Sequence, residues 1–414
     1  MICQRPYFTG SGINLINLTN NTAEKRIEQF LIFGQPVDNG YPLKVIIDEK
    51  YVNWVKFQSD DSSIKCDVNF PVAGMSDQMP YFSSKFSDFT LEMLESYLHA
   101  FAEKLKIAIE QFQPNIIHSH HLWLVSALCR ALFPKIPMVT SCHNTGLRQI
   151  VLAEHLKKFV INPIKDIDII AVQSEEQKQG IIKSYNFEKF DNFHIIGQGI
   201  NTDLFHPLKQ KPEKKSYSII YVGKLNNSKG VPQLIQAYKE VLKEIDLDLR
   251  LYLAGSGIGD EKDEIVKMAS SLEDKICFLG QVNQEDLAEY LRKSDIFILP
   301  SFYDSIPKVL LESLASGCRA IITDLPGIQE TITRCCGEND VVQYIDRPKM
   351  ESIDKPLKEE LPNFINGIKQ KLKLQLSYIN NDVRIESFSE KVRKIFSQDV
   401  LFEKFLKIYN SFTL

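Results

Sequence analysis

The chain has 414 residues, 44% of them hydrophobic and 25% charged, with a formal charge of −4, which is the composition of a globular protein large enough for two cores. That small acidic balance, spread through the chain, argues against nucleic acid, whose binding surfaces are strongly basic. No segment approaches the roughly eighteen apolar residues of a membrane span, and MICQRPYFTGSG carries no apolar leader core, so a cytoplasmic location is expected. In chain order, β-rich apolar runs alternate with helical patterns, the signature of doubly wound parallel sheets. The Gly-rich turn Thr9 to Gly12 should follow a strand, yet only Met1 to Cys3 precede its loop; either the first strand is short or the true start lies upstream. Strands are then expected at Phe30 to Phe33, Asn115 to His118, Met138 to Cys142, Asp168 to Val172 and His194 to Ile196, with helices at Thr90 to Phe112 and Leu122 to Leu132. After His206-Pro207 and the charged run KQKPEKK the pattern repeats, with strands at Tyr217 to Val222, Arg250 to Ala254, Ile276 to Leu279, Ile296 to Pro300, Arg319 to Thr323 and Val341 to Ile345.

The domain boundary is placed between about residues 197 and 216, giving a first domain over 1–200 and a second over 201–395. Residues 346–365 read as a polar connection and the last forty as wholly helical, with an apolar stripe over 396–414 (Phe396, Phe402, Phe405, Tyr409, Phe412) expected to pack back on the first domain. Eight irregularly spaced cysteines, including adjacent Cys335 and Cys336, form neither a disulfide nor a zinc framework and are expected reduced.

The most informative stretch is DIFILPSFYDSIPKVLLESLASGCRAIITDLPG, Asp295 to Gly327. It reads as a buried strand, a loop, a helix opening at Pro307 with Ser305 as N-cap, and a second strand. A helix start facing a strand's carboxyl end offers N–H groups and positive dipole to an anion. Asp304 and Glu312 bracket that start; phosphate would repel them, so they are assigned to hydroxyls of a sugar and a ribose beside a diphosphate. Gly10 to Gly12, His118 and His120, His143, Gly197 to Asn201, Gly223-Lys224, Gly255 to Gly257 and Asp304 all follow strands, the end at which open parallel sheets bind ligands. Lys224 and Lys229 flank one such loop and could converge on a diphosphate; the alternative is two solvated lysines.

With those motifs laid out, the second half resembles the nucleotide-binding domain, and the first half the acceptor domain, of family-4 retaining glycosyltransferases of the GT-B fold. YVGKLNNSKGV, LYLAGSG, FLGQV, DIFILPS, the pair Asp304 and Glu312, LLESLASGCRAIITDLPG and GINTDLFHP carry the likeness in the second half. In the first, FTGSG, FPVAGMSDQMPY, PNIIHSHHLW and CHNTGLRQ are similar to a bacterial and archaeal branch. The resemblance implies an α/β GT-B fold, two Rossmann-like doubly wound parallel-sheet domains facing across a cleft. It implies that Lys224 and Lys229 hold the donor diphosphate, Glu312 the ribose and Asp304 the transferred sugar. By the same resemblance His143 lies beside the reacting carbon and Gly12 lets the first loop approach. Departures are visible: Asp304 where Glu is usual, Lys224 where Arg is commoner, and Asn144 and Gly146 in place of the usual Gly and Asp. Pro307 stands where Gly is common and donates no N–H, leaving Ile306, Lys308 and Val309 to bind phosphate.

Metal ligation is not expected. Asp166-Ile167-Asp168 and Asp246-Leu247-Asp248 precede strands instead of following them, and strand alternation should part the neighbours in His118-Ser119-His120-His121. Cys142 beside His143 reads as a wall residue and not a nucleophile. On the acceptor side stand His120, Trp123 and Arg148, with core packing the competing reading for Trp123 and a solvated helix face for Arg148.

The expected function is a metal-independent, retaining transfer of a glycosyl group from an NDP-sugar, UDP- or GDP-linked, to the hydroxyl of a glycan, lipid-linked or small-molecule acceptor, with no cofactor. The alternatives are an NDP-sugar epimerase on the same scaffold and a non-catalytic nucleotide-sugar-binding partner of a transferase. LRQIVLAEHLKKFVI leaves peripheral contact with the inner membrane face open, against the simpler reading of a core-facing amphipathic helix.

Overall fold

Strands buried on both faces read as unbroken apolar runs, and the strand Ile296–Leu299 is the plainest case, all four residues buried. The computed structural model describes residues 2–3, 10–37, 45–59, 64–75, 79, 82–208, 216–257, 259–304, 306–379 and 384–412. The chain divides into two compact units, one of residues 1–197 with 401–414 and one of residues 198–400.

The first unit contains β1 (Ile2–Cys3), α1 (Gly10–Glu24), β2 (Leu31–Pro36), β3 (Val52–Phe57), β4 (Ala73–Gly74), β5 (Ser84–Lys85), α2 (Leu91–Phe112) and β6 (Ile117–His120). It continues with α3 (Leu124–Leu132), β7 (Met138–Ser141), α4 (Asn144–Leu152), α5 (Lys157–Lys165), β8 (Ile169–Val172), α6 (Glu175–Tyr185) and β9 (Phe193–Ile195). Its main sheet is parallel in the order β3-β2-β1-β6-β7-β8-β9. The second unit contains β10 (Tyr217–Val222), α7 (Val231–Glu244), β11 (Leu249–Ala254), α8 (Gly259–Ala269), β12 (Ile276–Gly280), α9 (Gln284–Lys293) and β13 (Ile296–Leu299). It goes on through α10 (Lys308–Ala315), β14 (Arg319–Thr323), α11 (Ile328–Cys336), β15 (Val342–Ile345), α12 (Leu361–Tyr378) and α13 (Arg384–Ile395). Its sheet is parallel in the order β12-β11-β10-β13-β14-β15. Each sheet is wound outward in both directions from an early strand, β1 beside β6 and β10 beside β13, and such a reversal opens a crevice at the carboxyl ends of those strands.

Several elements differ from expectation for local reasons. The glycines of Gly10 to Gly12 do not form a free turn but the first turn of α1, which buries Leu15, Leu18, Thr19 and Thr22. β6 lies two residues later than expected, so His120 ends it and His118 is interior. β3 was not foreseen because Asn53 and Lys56 interrupt its apolar residues and only Val55 and Phe57 are buried. α12 begins inside the expected connection. The C-terminal helical stretch is broken between α13 and α14 (Gln398–Asn410) because the backbone there turns to bond Ile200: Ile200 N–H donates to Phe396 O at 2.8 Å and Gln398 N–H to Ile200 O at 2.9 Å. Within the first unit, Phe402, Phe405 and Ile408 of α14 pack with Leu18, Val139, Ile169, Ala171 and Ile196.

Candidate active site

In the second unit the switch strands β10 and β13 deliver two loops that are tied together. Phe302 N–H donates to Ser228 O at 3.0 Å. Gly230 has φ +67° and lies so near Pro300 that a Cβ would sit 2.1 Å from its carbonyl oxygen, so only glycine closes this loop. Asn226 Oδ1 accepts from Lys229 N–H at 3.2 Å and from Ser228 Oγ at 3.2 Å. These ties set the lysine side chain against the neighbouring loop, and Lys229 Nζ donates to Asp304 Oδ2 at 2.6 Å, each side chain about a quarter exposed (22% and 25%). Lys224 is exposed, and its carbonyl accepts from Tyr221 OH at 2.6 Å. Asn226 was not singled out from the sequence; the interval between the two lysines was the available signal.

Pro307 is the N-cap of α10 and not its first residue, in extended conformation and with no side-chain cap; Ser305, expected there, lies outside the described residues. Leu310 N–H donates back to Pro307 O at 3.0 Å, so Lys308 and Val309 hold the first two helical positions, whose N–H groups a helix does not satisfy internally. Ile306 is buried, its carbonyl accepting from Gln198 Nε2 at 3.3 Å. One turn into α10, Glu312 is 3% exposed. Burial raises its pKa against the opposing pull of Lys308, and burial in turn lowers that of Lys308.

In the first unit four imidazoles gather at the ends of β6 and β7. His118 and His120 stack at 5.0 Å and 8°, the rings of His120 and His143 are near-parallel (13°) with centroids 5.5 Å apart, and His121 lies 4.6 Å from His143 between ring centroids. Strand alternation was expected to part these neighbours. It parts Ser119, whose hydroxyl bonds Thr140 Oγ1, and leaves His118 and His120 on one face, but His121 leaves the extended conformation with φ +68° and its ring rejoins theirs beside His143. His118 is bonded through Nδ1 to Tyr409 OH at 2.6 Å and through Nε2 to Ser141 Oγ at 2.8 Å. Burial lowers the pKa of His118 to about 3 and that of His143 to about 4, and holds His120 and His121 well below the usual value. No group of described residues has the arrangement of a metal site.

The other first-unit candidates divide. Trp123, expected to offer its face to an acceptor, is 2% exposed and packs edge-on against Phe86 at 5.8 Å; it is a core residue. Arg148 is partly buried on α4, and Gly12 is buried within α1 instead of lying in a loop. Gly146 faces the backbone of Leu122, with an ideal Cβ 3.3 Å from its nitrogen, so an aspartate there would need the Leu122 backbone to give slightly. Cys142 is a buried wall residue whose thiol pKa burial raises. Asp168 accepts from Arg130 Nη1 at 2.7 Å and Met138 N–H at 2.8 Å, and Asp248 pairs with Lys275 at 2.7 Å, so both are occupied structurally. The segment 147–161 is broken at Ala153 into α4, a short 3-10 turn and α5, with Ile150, Leu156 and Val160 in the core. Among the described residues no helix is long and apolar enough to cross a membrane.

Comparison with known proteins agrees with this architecture. Residues 83–204 match the model of Glycosyltransferase Family 4, and residues 205–335 that of Glycosyl transferases group 1. N-acetyl-alpha-D-glucosaminyl L-malate synthase of Bacillus anthracis is 26% identical over 56% of this chain and 62% of its own. The chain spans about three fifths or less of the length of the curated relatives it matches. Sucrose-phosphate synthase from Thermosynechococcus elongatus superimposes with a TM-score of 0.70 at 16% identity, over 99% of this chain and 98% of that one. Anabaena HepE, solved in complex with UDP and glucose, gives 0.66 at 13% identity over 99% of each chain. With two GT-B-type Rossmann-like sheets and contiguous family matches over most of both, the chain belongs to the family-4 glycosyltransferases.

Proposed function

We propose that the chain is a metal-independent, retaining glycosyltransferase that moves a glycosyl group from an NDP-sugar, UDP- or GDP-linked, to the hydroxyl of a glycan, lipid-linked or small-molecule acceptor. The Lys229–Asp304 contact carries this reading: a cation and a carboxylate share one spot at the carboxyl ends of the switch strands, beside the start of α10. A diphosphate arriving there competes with Asp304 for Lys229. The lysine turns to phosphate, and the carboxylate is released to accept from sugar hydroxyls. Lys224, Lys229 and the N–H groups at Lys308 and Val309 then stabilise the charge that grows on the departing diphosphate. Glu312 is suited to accept from ribose hydroxyls, and residues of the first unit, His143 foremost, serve the acceptor and the transferred sugar. Family membership supports a sugar donor, and HepE with UDP and glucose supports a nucleotide-linked one. A cytoplasmic site of action, in reach of nucleotide sugars and with peripheral membrane contact for a lipid-linked acceptor, belongs to the same proposal.

The test is a panel of UDP- and GDP-sugars, first by thermal stabilisation and then by transfer to candidate acceptors, with Lys229→Ala alongside. Transfer in the wild type and its loss in a folded Lys229→Ala variant are expected. Full transfer by that variant would refute the assignment.

A further inference from the structure

We infer that His120 is a positioning residue for His143: it holds the proton of His143 on Nδ1, so that His143 meets substrate as an N–H donor at Nδ1 and not as a base at Nε2. The substrate half of this inference rests on the transferase reading above; the tautomer half does not. His120 Nδ1 and His143 Nε2 lie 3.2 Å apart, and of two facing imidazole nitrogens one must donate and the other accept. The second nitrogen of His120, Nε2, is buried and has no hydrogen-bond partner among the described residues. A hydrogen on Nε2 would be an orphaned interior N–H, a costlier state than an unmet lone pair. The proton of His120 therefore belongs on Nδ1, where it donates to His143 Nε2. A neutral imidazole has one proton, so that of His143 sits on Nδ1.

The surroundings hold this arrangement in place. His118 stacks on His120 at 5.0 Å, and both of its nitrogens are tied, to Tyr409 and Ser141. It therefore serves as a fixed wall. His121, 4.6 Å from His143 between centroids, is bonded through its own Nδ1 to Thr145 Oγ1 at 3.1 Å. Burial keeps all four rings neutral near neutral pH, which makes the tautomer, and not the charge, the variable that His120 sets.

The experiment is long-range proton–nitrogen correlation on the full chain labelled with 15N-histidine at neutral pH, with His143→Gln used to assign the signals. His120→Asn keeps an amide N–H near the position of Nδ1, and His120→Phe keeps a stacked ring without nitrogen. His143 is expected with its proton on Nδ1 in the wild type and in His120→Asn, and with its proton shifted toward Nε2 in His120→Phe. In His120→Phe, kcat for whichever of UDP-glucose, UDP-N-acetylglucosamine and GDP-mannose the wild type uses should fall about tenfold with donor KM unchanged, the worth of one oriented hydrogen bond. A wild-type His143 protonated on Nε2, or one indifferent to His120→Phe, overturns the tautomer assignment. A changed tautomer with unchanged kcat overturns its role in transfer. A wild type that turns over no donor sinks the transferase reading and leaves the tautomer result standing. If His120→Phe does not fold, the wild-type spectrum alone decides.

Discussion

Lys229 Nζ lies 2.6 Å from Asp304 Oδ2, so the cation assigned to phosphate and the carboxylate assigned to sugar are each other's partner. A quarter-exposed ion pair contributes at most about 1 kcal/mol, so the contact itself adds little to stability. Lys229→Ala should lower transfer by about two to three orders of magnitude while the unfolding midpoint moves little. Asp304→Asn should separate the two roles: transfer falls, but free nucleoside diphosphate binds several-fold more tightly, because the anion that competes for Lys229 is gone. Calorimetric titration with UDP and GDP reads that sign, and weaker binding by Asp304→Asn would contradict the exchange.

The loop that carries Lys229 is fixed by steric necessity at Gly230. Gly230 (φ +67°) and Gly280 (φ +68°) share the same left-handed backbone, but a Cβ at Gly230 would meet Pro300 O at 2.1 Å, whereas Gly280 has nothing within 4 Å. Gly280→Ala should cost about 1 kcal/mol, the strain of the conformation alone. Gly230→Ala should cost about 2–4 kcal/mol and weaken donor binding as well, since the clash displaces Lys229. Urea unfolding of both variants, with unchanged m-values, gives the comparison.

How much of this was legible in the sequence depends on whether the signal was local. β10 and β14 were readable to the residue because each has an apolar centre buried on both faces, Ile219 to Tyr221 and Ala320 to Ile322. β3 escaped because Asn53 and Lys56, on opposite faces of this edge strand, break the apolar run without setting up an alternation. The residue types at the donor loops were legible, Asp304 and Lys229 among them, but their pairing is a contact across 75 positions of sequence that no local pattern encodes. Trp123 shows the converse: an aromatic next to a histidine run suggests sugar stacking, and only tertiary packing against Phe86 reveals a core ring. The fourth member of the histidine cluster was hidden by one backbone angle, at His121, since a regular strand would have turned its ring to the face opposite His118 and His120.

Glu312 should trade stability against function. Its folded pKa is raised above 4.5 by burial, so the unfolded chain releases that proton first, and stability is lost as pH rises from about 4.5 through the folded value. Glu312→Gln lacks this loss. Its stability relative to wild type should therefore increase across that range and level off above it, as read by unfolding at a series of pH values. Donor affinity should drop about tenfold or more, the worth of a hydrogen bond to a carboxylate, if the ribose is its partner.

The four imidazoles set a slope of the opposite sign. His143 is lowered from 6.5 to about 4 and His118 to about 3 by burial, so between those values and 6.5 the unfolded chain binds more protons than the folded one. Stability should then be full above about 6.5 and fall on acidification toward 4, each buried histidine adding about 1.4 kcal/mol per pH unit. His143→Gln removes one such group. The acid slope of its unfolding free energy should be shallower by close to one proton, and an unchanged slope would mean that His143 is already charged or solvated in the fold.

The terminal helix should matter to the first unit out of proportion to its position in the chain. Phe405 is 3% exposed, packs against the His118 ring at 5.0 Å, and belongs to the apolar cluster with Val139, Ile169 and Ala171. Truncation to alanine empties a site walled by sheet residues that cannot collapse inward, so Phe405→Ala should cost about 3–5 kcal/mol. Tyr409→Phe is the finer probe. It removes only the hydroxyl bonded to His118 Nδ1 at 2.6 Å and leaves a buried nitrogen unmet, at about 1–3 kcal/mol. Because His118 is the wall against which His120 stacks, Tyr409→Phe should also broaden the His120 and His143 imidazole signals, whereas Phe412→Ala at the end of the chain, farther along the same stripe, should leave them unchanged.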